Sequence, residues 1–400
     1  MHNTYRISED LIYVGGSDRR LALFENAYPI PDGVSYNSYL LKDEKNVLLD
    51  TVDLSIADLF FDNLKYALEG GKLDYAVIDH MEPDHRATIG RLVEKYPDVT
   101  LYMTAMAKKM LLQFFDFDRE PEIVITKEGM ELETGKHTLV FYTASMVHWP
   151  EVMLTYDRTD KVLFSADAFG TFGSLDGNIF SSRTDQWTRH LSRARRYYTN
   201  IVGKYGPQVQ AVLKKASGLD ISMICPLHGP VLDDDLSYYI DKYDKWSTYT
   251  PEGEGVLIAY ATIYGGTEQA AQIVATKLAE RGVSDIKVYD VSKTHYSKIV
   301  AEAFRCKAIV FASSTQDANI FSSMEFVLTE LKAKNFQNRK IAVIENGTWA
   351  PGVLKNMLPV FEGMKNMEVV AKTSIKSTVK ENDLTALDEI ADAIYAAVKE

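Results

Sequence analysis

Seven side chains of metal-ligand type, each placed just past an apolar strand, constrain this chain more than any other feature. His80, Glu82, Asp84 and His85 form the run His-Met-Glu-Pro-Asp-His directly after YAVID. His148 follows TLVFYTA, Asp167 ends KVLFSAD, and His228 follows SMICPL. A fold that uses them together must bring the C-terminal edges of several strands to one face. Four imidazoles and three carboxylates suffice for two metal ions with one carboxylate bridging them. No cysteine belongs to the set. Soft thiolates favour zinc, copper and iron–sulfur clusters, whereas carboxylate with imidazole suits non-heme iron. His80 and Glu82, two apart in a loop, can address one ion while Asp84 and His85 address another. The competing reading, a turn rich in ordinary polar groups, serves for the first run alone. It fails once three later residues recur in the same setting.

Four hundred residues exceed one ordinary core, so two domains are expected. Residues 1–250 read as short β-branched or aromatic strands (35–52, 75–80, 100–104, 138–144, 152–157 and 161–167) bounded by turn residues. The stretch 191–218 interrupts them with helical spacing of apolar residues. Strands paired into layers with helices outside imply a sandwich. After the Pro/Gly/Glu-rich linker 245–255 the pattern changes. GVLIAYA (255–261) is a buried strand, 267–282 a helix closing on Gly282, and strands at 286–291, 308–314 and 340–347 precede a final helix near 383–399. Strands alternating with such helices imply a doubly wound parallel sheet. The expected domains are therefore 1–250 and 251–400.

The order HxExDH, then His, Asp and His, resembles the metallo-β-lactamase-like αββα sandwich, whose hydrolases typically carry HxHxDH. Here Glu82 stands where those hydrolases have the middle histidine. With HWPxxM at 148–153 and SADAFG at 165–170, the pattern looks like the flavodiiron proteins. A carboxylate in place of an imidazole hardens the site and adds negative charge, which favours Fe(III). The resemblance implies that His80, Glu82 and His148 hold one iron, Asp84, His85 and His228 the other, and Asp167 bridges them. In parts of that family the residue matching His85 need not bind metal. His2, His137, His190 and His295 lack such a setting and read as surface or structural residues.

In the second half, GVLIAYA runs into Thr262-Ile263-Tyr264-Gly265-Gly266-Thr267, which opens a helix. Backbone N–H groups at a helix N-terminus, with threonine hydroxyls, suit a phosphate. The loop is neither a Walker A motif nor GxGxxG, so ATP and a dinucleotide are not indicated. It resembles the flavodoxin phosphate loop. The loops Ser313–Asn319 (Ser314, Thr315, Gln316, Asp317, Ala318, Asn319) and Asn346-Gly347-Thr348-Trp349 leave neighbouring strands, where ligands of open α/β sheets bind. In flavodoxins such loops flank the isoalloxazine ring, so FMN is the implied cofactor. Many relatives have Pro where Ser314 stands.

Composition narrows the class. The chain is 46% apolar and 25% charged, as expected of a soluble globular protein. No apolar run approaches the roughly 20 residues that span a bilayer. The polar N-terminus lacks a signal-peptide core. Cys225 and Cys306 show no pairing pattern, which fits a reducing cytoplasm. Residues 1–250 hold 27 Lys+Arg against 37 Asp+Glu, giving −10 of the net −12, a poor balance for binding nucleic acid. The resemblance covers nearly the whole chain and implies an oxidoreductase. Electrons from an external donor would pass through FMN to a di-iron site that reduces NO to N2O, O2 to water, or both. Without a CxxC pair no rubredoxin is fused, so the expected donor is a separate rubredoxin or a reduced deazaflavin or flavin reductase. The implied assembly is a head-to-tail homodimer or homotetramer. Arg189, Arg193 and Arg196 offer a basic helix face for an acidic carrier, or simply a solvated one. Two other classes compete: a zinc hydrolase with an accessory flavodoxin domain, and an electron-transfer flavoprotein with a vestigial metal site.

Overall fold

The computed structural model describes residues 1–184 and 190–399. Contacts group the chain into two compact units, Met1–Tyr198 with Pro207–Tyr243, and Thr199–Gly206 with Asp244–Glu400. Part of the helical stretch inside 191–218 thus packs with the second unit. That stretch is also not one helix. Leu191–Tyr197 and Gly206–Ala216 are α-helical, and the turns between them, containing Gly203, are π and 3-10.

The first unit contains two sheets. One runs in chain order through β1 (Tyr5–Arg6), β2 (Leu11–Tyr13), β3 (Tyr39–Leu41), β4 (Val47–Leu49), β5 (Tyr75–Val77), β6 (Thr100–Met103) and β7 (Glu122–Ile125). It is antiparallel up to β4 and parallel from β4 to β7. The other comprises β8 (Glu131–Glu133), β9 (Thr138–Thr143), β10 (Met153–Asp157), β11 (Val162–Phe164) and β12 (Met223–Cys225). Alternation turns Tyr39, Leu41, Val47, Leu49 and Val77 of the first sheet toward Leu139, Phe141, Met153 and Phe164 of the second, and these form one core. Leu40, Leu48, Ala76 and Leu101 on the opposite face are buried too, so that sheet is covered on both sides. This is the αββα sandwich expected from the sequence. Its parallel strands β5 and β7 need crossovers, which is why the helices Ala57–Leu68 and Ala105–Phe114 lie among the short strands.

The second unit is a parallel sheet of β13 (Val256–Ala261), β14 (Ile286–Asp290), β15 (Ala308–Gln316), β16 (Arg339–Asn346) and β17 (Met367–Ile375), in the order β14-β13-β15-β16-β17. Alternate residues feed two cores, Leu257, Ile309 and Val343 on one face, Ile258, Val310 and Ile344 on the other. The chain reverses its direction of winding between β14-β13 and β13-β15, which opens a crevice at the carboxyl ends of those strands. Among the described residues, no helix is long and apolar enough to cross a membrane.

Candidate metal centre and cofactor cleft

The seven residues lie in one pocket of the first unit, each at most 8% exposed. His80 Nε2 is 3.3 Å from Glu82 Oε2 and 3.4 Å from Asp167 Oδ2. His148 Nε2 is 2.9 Å from the same Glu82 oxygen and 3.1 Å from Asp167 Oδ2. Across the pocket, His85 Nε2 is 3.2 Å from Asp167 Oδ1, 3.4 Å from Asp84 Oδ1 and 3.1 Å from His228 Nε2. His228 Nε2 is 3.2 Å from Asp84 Oδ2. Two ligand clusters result, with the Asp167 carboxylate presenting one oxygen to each.

Local structure explains the convergence. Past β5, Asp50 accepts the N–H groups of Asp79 and His80 at 2.9 and 3.2 Å and fixes the turn. Pro83 then starts the one-turn helix Pro83–Arg86, where its missing N–H costs nothing, and Asp84 and His85 swing away from Glu82. Glu151 Oε1 accepts from His80 Nδ1 at 2.8 Å and from Met81 N at 2.9 Å. The loop bearing His228 hangs on the other edge of the sandwich. Asn37 Nδ2 donates to the carbonyls of Pro226 and Gly229 at 2.8 Å each, Tyr39 donates to Pro226, and His228 Nδ1 donates to the Ser35 carbonyl at 2.7 Å. Gly229 is needed there, since its φ is 83° and a Cβ would meet the Thr171 methyl at 2.1 Å.

Such a concentration of buried charge requires compensation. Burial depresses the imidazoles, yet bonds to Asp167 and Glu82 hold His148 up at about 9. The nearby carboxylates of Asp84 and Asp167 do the same for His228. Burial raises Asp167, but His80 and His85 outweigh it and hold it well below the carboxylate range. Even so, both oxygens of Asp84 and Oδ1 of Asp167 are buried without a hydrogen-bond partner among the described residues. Carboxylate oxygens left without donors, facing imidazole nitrogens, fit a pair of hard or borderline cations. The walls are aromatic. Phe24, Tyr36 and Tyr197 surround the His228 ring, and Trp149 stands edge-on to His80. The Tyr197 hydroxyl is buried with no partner among the described residues, and burial with the charges of Asp167, Glu82 and Asp84 pushes it well above the ordinary phenol range.

The other histidines serve elsewhere. His137 is buried between Asp157 and Asp10, His295 accepts from Ser297 N at a helix start, and His2 stacks on Tyr66. His190 is buried, edge-on to Tyr239. Of the proposed basic face, Arg193 pairs with Asp32 at 2.6 Å and Arg196 lies over the Phe172 ring, so neither is a bare cation. Arg189 lies outside the described residues.

In the second unit a cleft of about 550 Å³ opens at the sheet's carboxyl edge. Ile263, Tyr264, Gly266 and Thr267 line it from the first loop, Ser314, Thr315, Asp317 and Ala318 from the second, and Asn346–Ala350 from the third. Thr262 and Gly265 shape the first loop from behind: the Thr262 hydroxyl accepts the Gly265 N–H at 3.0 Å, with Gly265 at φ 93°. Gln316 and Asn319 close a short hairpin instead of lining the cleft, and Gln316 Oε1 accepts from Ser322 N. Ser377 and Thr378, past β17, form a fourth wall that the sequence reading missed. Also missed were Asp50, Glu151, Ser35, Asn37 and Tyr197 around the metal pocket. Only Asp50, ending the apolar run NVLLD, carried the same strand-end signal as the ligands.

Residues 34–229 match the family described as ODP family beta lactamase, and residues 258–350 match flavodoxin. An uncharacterised protein of Methanocaldococcus jannaschii is 33% identical over 79% of this chain and 78% of its own length. The anaerobic nitric oxide reductase flavorubredoxin of Aeromonas hydrophila is 31% identical over 87% of this chain and 70% of its own. Among solved structures, rubredoxin oxygen:oxidoreductase from Desulfovibrio gigas superposes with a TM-score of 0.90 at 27% identity, covering 99% of this chain and 98% of its own. A variant of the flavo di-iron protein from Thermotoga maritima gives 0.89 at 25% identity, with the same coverage.

Proposed function

Because this chain belongs to the flavodiiron proteins, we propose that it is an oxidoreductase that draws electrons from a separate donor through FMN and reduces NO to N2O, O2 to water, or both, at paired non-heme irons. The observation that carries the reading is the Asp167 carboxylate, set between two clusters with one oxygen facing each. His80, Glu82 and His148 would hold one iron and Asp84, His85 and His228 the other, and the unpartnered oxygens of Asp84 and Asp167 fit that assignment. The Thr262–Thr267 loop, at a helix N-terminus, would hold the FMN phosphate, and the loops Ser314–Asn319 and Asn346–Trp349 would flank the ring.

When bound, the iron pair supplies gas binding and two electrons at once, and FMN supplies the steps that restore them. The chain's own residues provide the rest. Glu151 keeps the proton of His80 on Nδ1 and so turns Nε2 toward the cluster. Phe24, Tyr36 and Trp149 exclude bulk water and lower the local dielectric. Two NO become N2O and water with two electrons and two protons, and O2 becomes two waters with four of each. Tyr197 keeps a proton on its hydroxyl inside this wall, in the field of Asp167, Glu82 and Asp84, where it can donate to a gas-derived oxygen.

The donor is a separate rubredoxin or a reduced deazaflavin or flavin reductase, and the working form is a head-to-tail homodimer or homotetramer. The compartment is a reducing cytoplasm, in keeping with two buried, free cysteines. The test is iron and flavin analysis of anaerobically purified protein, followed by NO and O2 consumption side by side with reduced rubredoxin. Two irons, one FMN and turnover of either gas are expected. Protein loaded with both cofactors that consumes neither gas overturns the proposal.

A further inference from the structure

We propose that the two metal positions are unequal: the ion at His80, Glu82 and His148 is retained, and the ion at Asp84, His85 and His228 is exchangeable, because a buried carboxylate, Glu151, braces only the first. The inference rests on the di-metal reading above. The ligands themselves do not separate the positions, for each has two imidazoles, one carboxylate of its own and one oxygen of Asp167. The difference lies behind them. Glu151 has a side chain with no exposed surface, and its Oε1 is 2.8 Å from His80 Nδ1 and 2.9 Å from Met81 N. A carboxylate in that place fixes the tautomer and the ring orientation and raises the basicity of the ligating nitrogen.

At the second position, His228 Nδ1 donates to the neutral Ser35 carbonyl at 2.7 Å. His85 Nδ1 is buried with no partner among the described residues. With Nε2 on a metal, a neutral imidazole carries its proton on Nδ1. That N–H has nothing to bond to and must be left unsatisfied when the second ion binds. The His85 ring is flanked by those of His80 and His228, and among the described residues no acceptor pins its Nδ1. Outer partners of this kind are worth about 10- to 100-fold in metal affinity, so Glu151 acts as a positioning residue that sets the order of metal loss.

The test uses the full chain loaded anaerobically with two ferrous ions and challenged with excess of a coloured ferrous chelator. Release is expected in two phases of one ion each, at least about 10-fold apart in rate. Glu151→Ala should speed the slow phase by about 10- to 100-fold and bring the two together, leaving the fast phase unchanged. Glu151→Gln keeps an acceptor for His80 without the charge and should give an intermediate slow phase. A single phase from the unaltered protein overturns the proposal, and so do Glu151 variants that accelerate the fast phase or neither phase. If Glu151→Ala does not fold, the unaltered protein and Glu151→Gln decide. A chain that cannot take up two ions fails the di-metal reading itself, an outcome distinct from two ions that leave together.

Discussion

No ligand residue in the metal pocket is more than 8% exposed, whereas at the rim of the cofactor cleft Tyr264 is 99% and Trp349 90% exposed. The pocket is built from side chains, drawn from four loops and held by a second layer of carboxylate, amide and backbone carbonyls. The cleft is built largely from backbone and small residues at one sheet edge. A buried, charge-rich site has to be satisfied for the unit around it to be stable, so its ligand should contribute strongly to folding. An open cleft asks less of the fold and more of its own loops. It should therefore lose its cofactor without the fold failing.

The largest effect expected from breaking this contrast is at Asp167. Asp167→Asn removes the shared negative charge and leaves one oxygen where two faced the clusters, and iron content should fall to one ion per chain or fewer. Gas consumption should drop by more than the roughly 100-fold typical of outer-shell changes, with the melting temperature of the first unit lowered as well. An unchanged two-iron content would show that the carboxylate is not shared. Next comes Gly266→Ala. Its Cβ would lie 2.4 Å from the Ser377 carbonyl oxygen, so FMN affinity should weaken on the order of 10-fold or more while iron content stays at two. Loss of iron together with flavin would contradict the independence of the two sites.

Tyr197→Phe tests a single atom. Removing a buried hydroxyl with no partner among the described residues should leave iron content unchanged and leave stability equal or higher by up to about 1 kcal/mol. Turnover of the gas should fall about 10-fold, the worth of one hydrogen bond. A variant as active as the parent would remove Tyr197 from the mechanism. The smallest effect lies outside both sites. Burial lowers His137, but its bond to Asp157 outweighs this and holds it at about 9. Because the folded value lies above the unfolded one, near 6.5, its contribution is full below about pH 6.5 and fades as pH rises through about 9. His137→Gln should therefore cost roughly 1–2 kcal/mol at pH 6 and much less at pH 10, measured by denaturant unfolding. A constant difference across that range would mean packing, not charge, is what His137 supplies.

Much of the architecture was legible because its signals are local. Apolar runs of strand length ended at His80, His148, Asp167 and His228, and in an αββα sandwich such ends converge. The linker and the regular strand–helix alternation after it marked the flavodoxin-like unit. Short helices among the strands, such as Ala57–Leu68, carried an amphipathic spacing that the strand-rich surroundings obscured. Gln316 and Asn319 read as cleft residues from loop position, yet a hairpin turns them to other work.

The sequence by itself determined the family, the two-unit plan and the donor types of the metal pocket, since residue chemistry and order along the chain suffice for these. Tertiary structure alone decided which groups stand behind the ligands. Glu151 reaches His80 from 71 residues away, and Asn37 reaches Pro226 from 189. Glu, Asn and a serine carbonyl are ordinary groups at unremarked spacings, and hydrogen bonding is short-ranged and directional. Their roles exist only once the two sheets have stacked and brought distant loops within about 3 Å of one another.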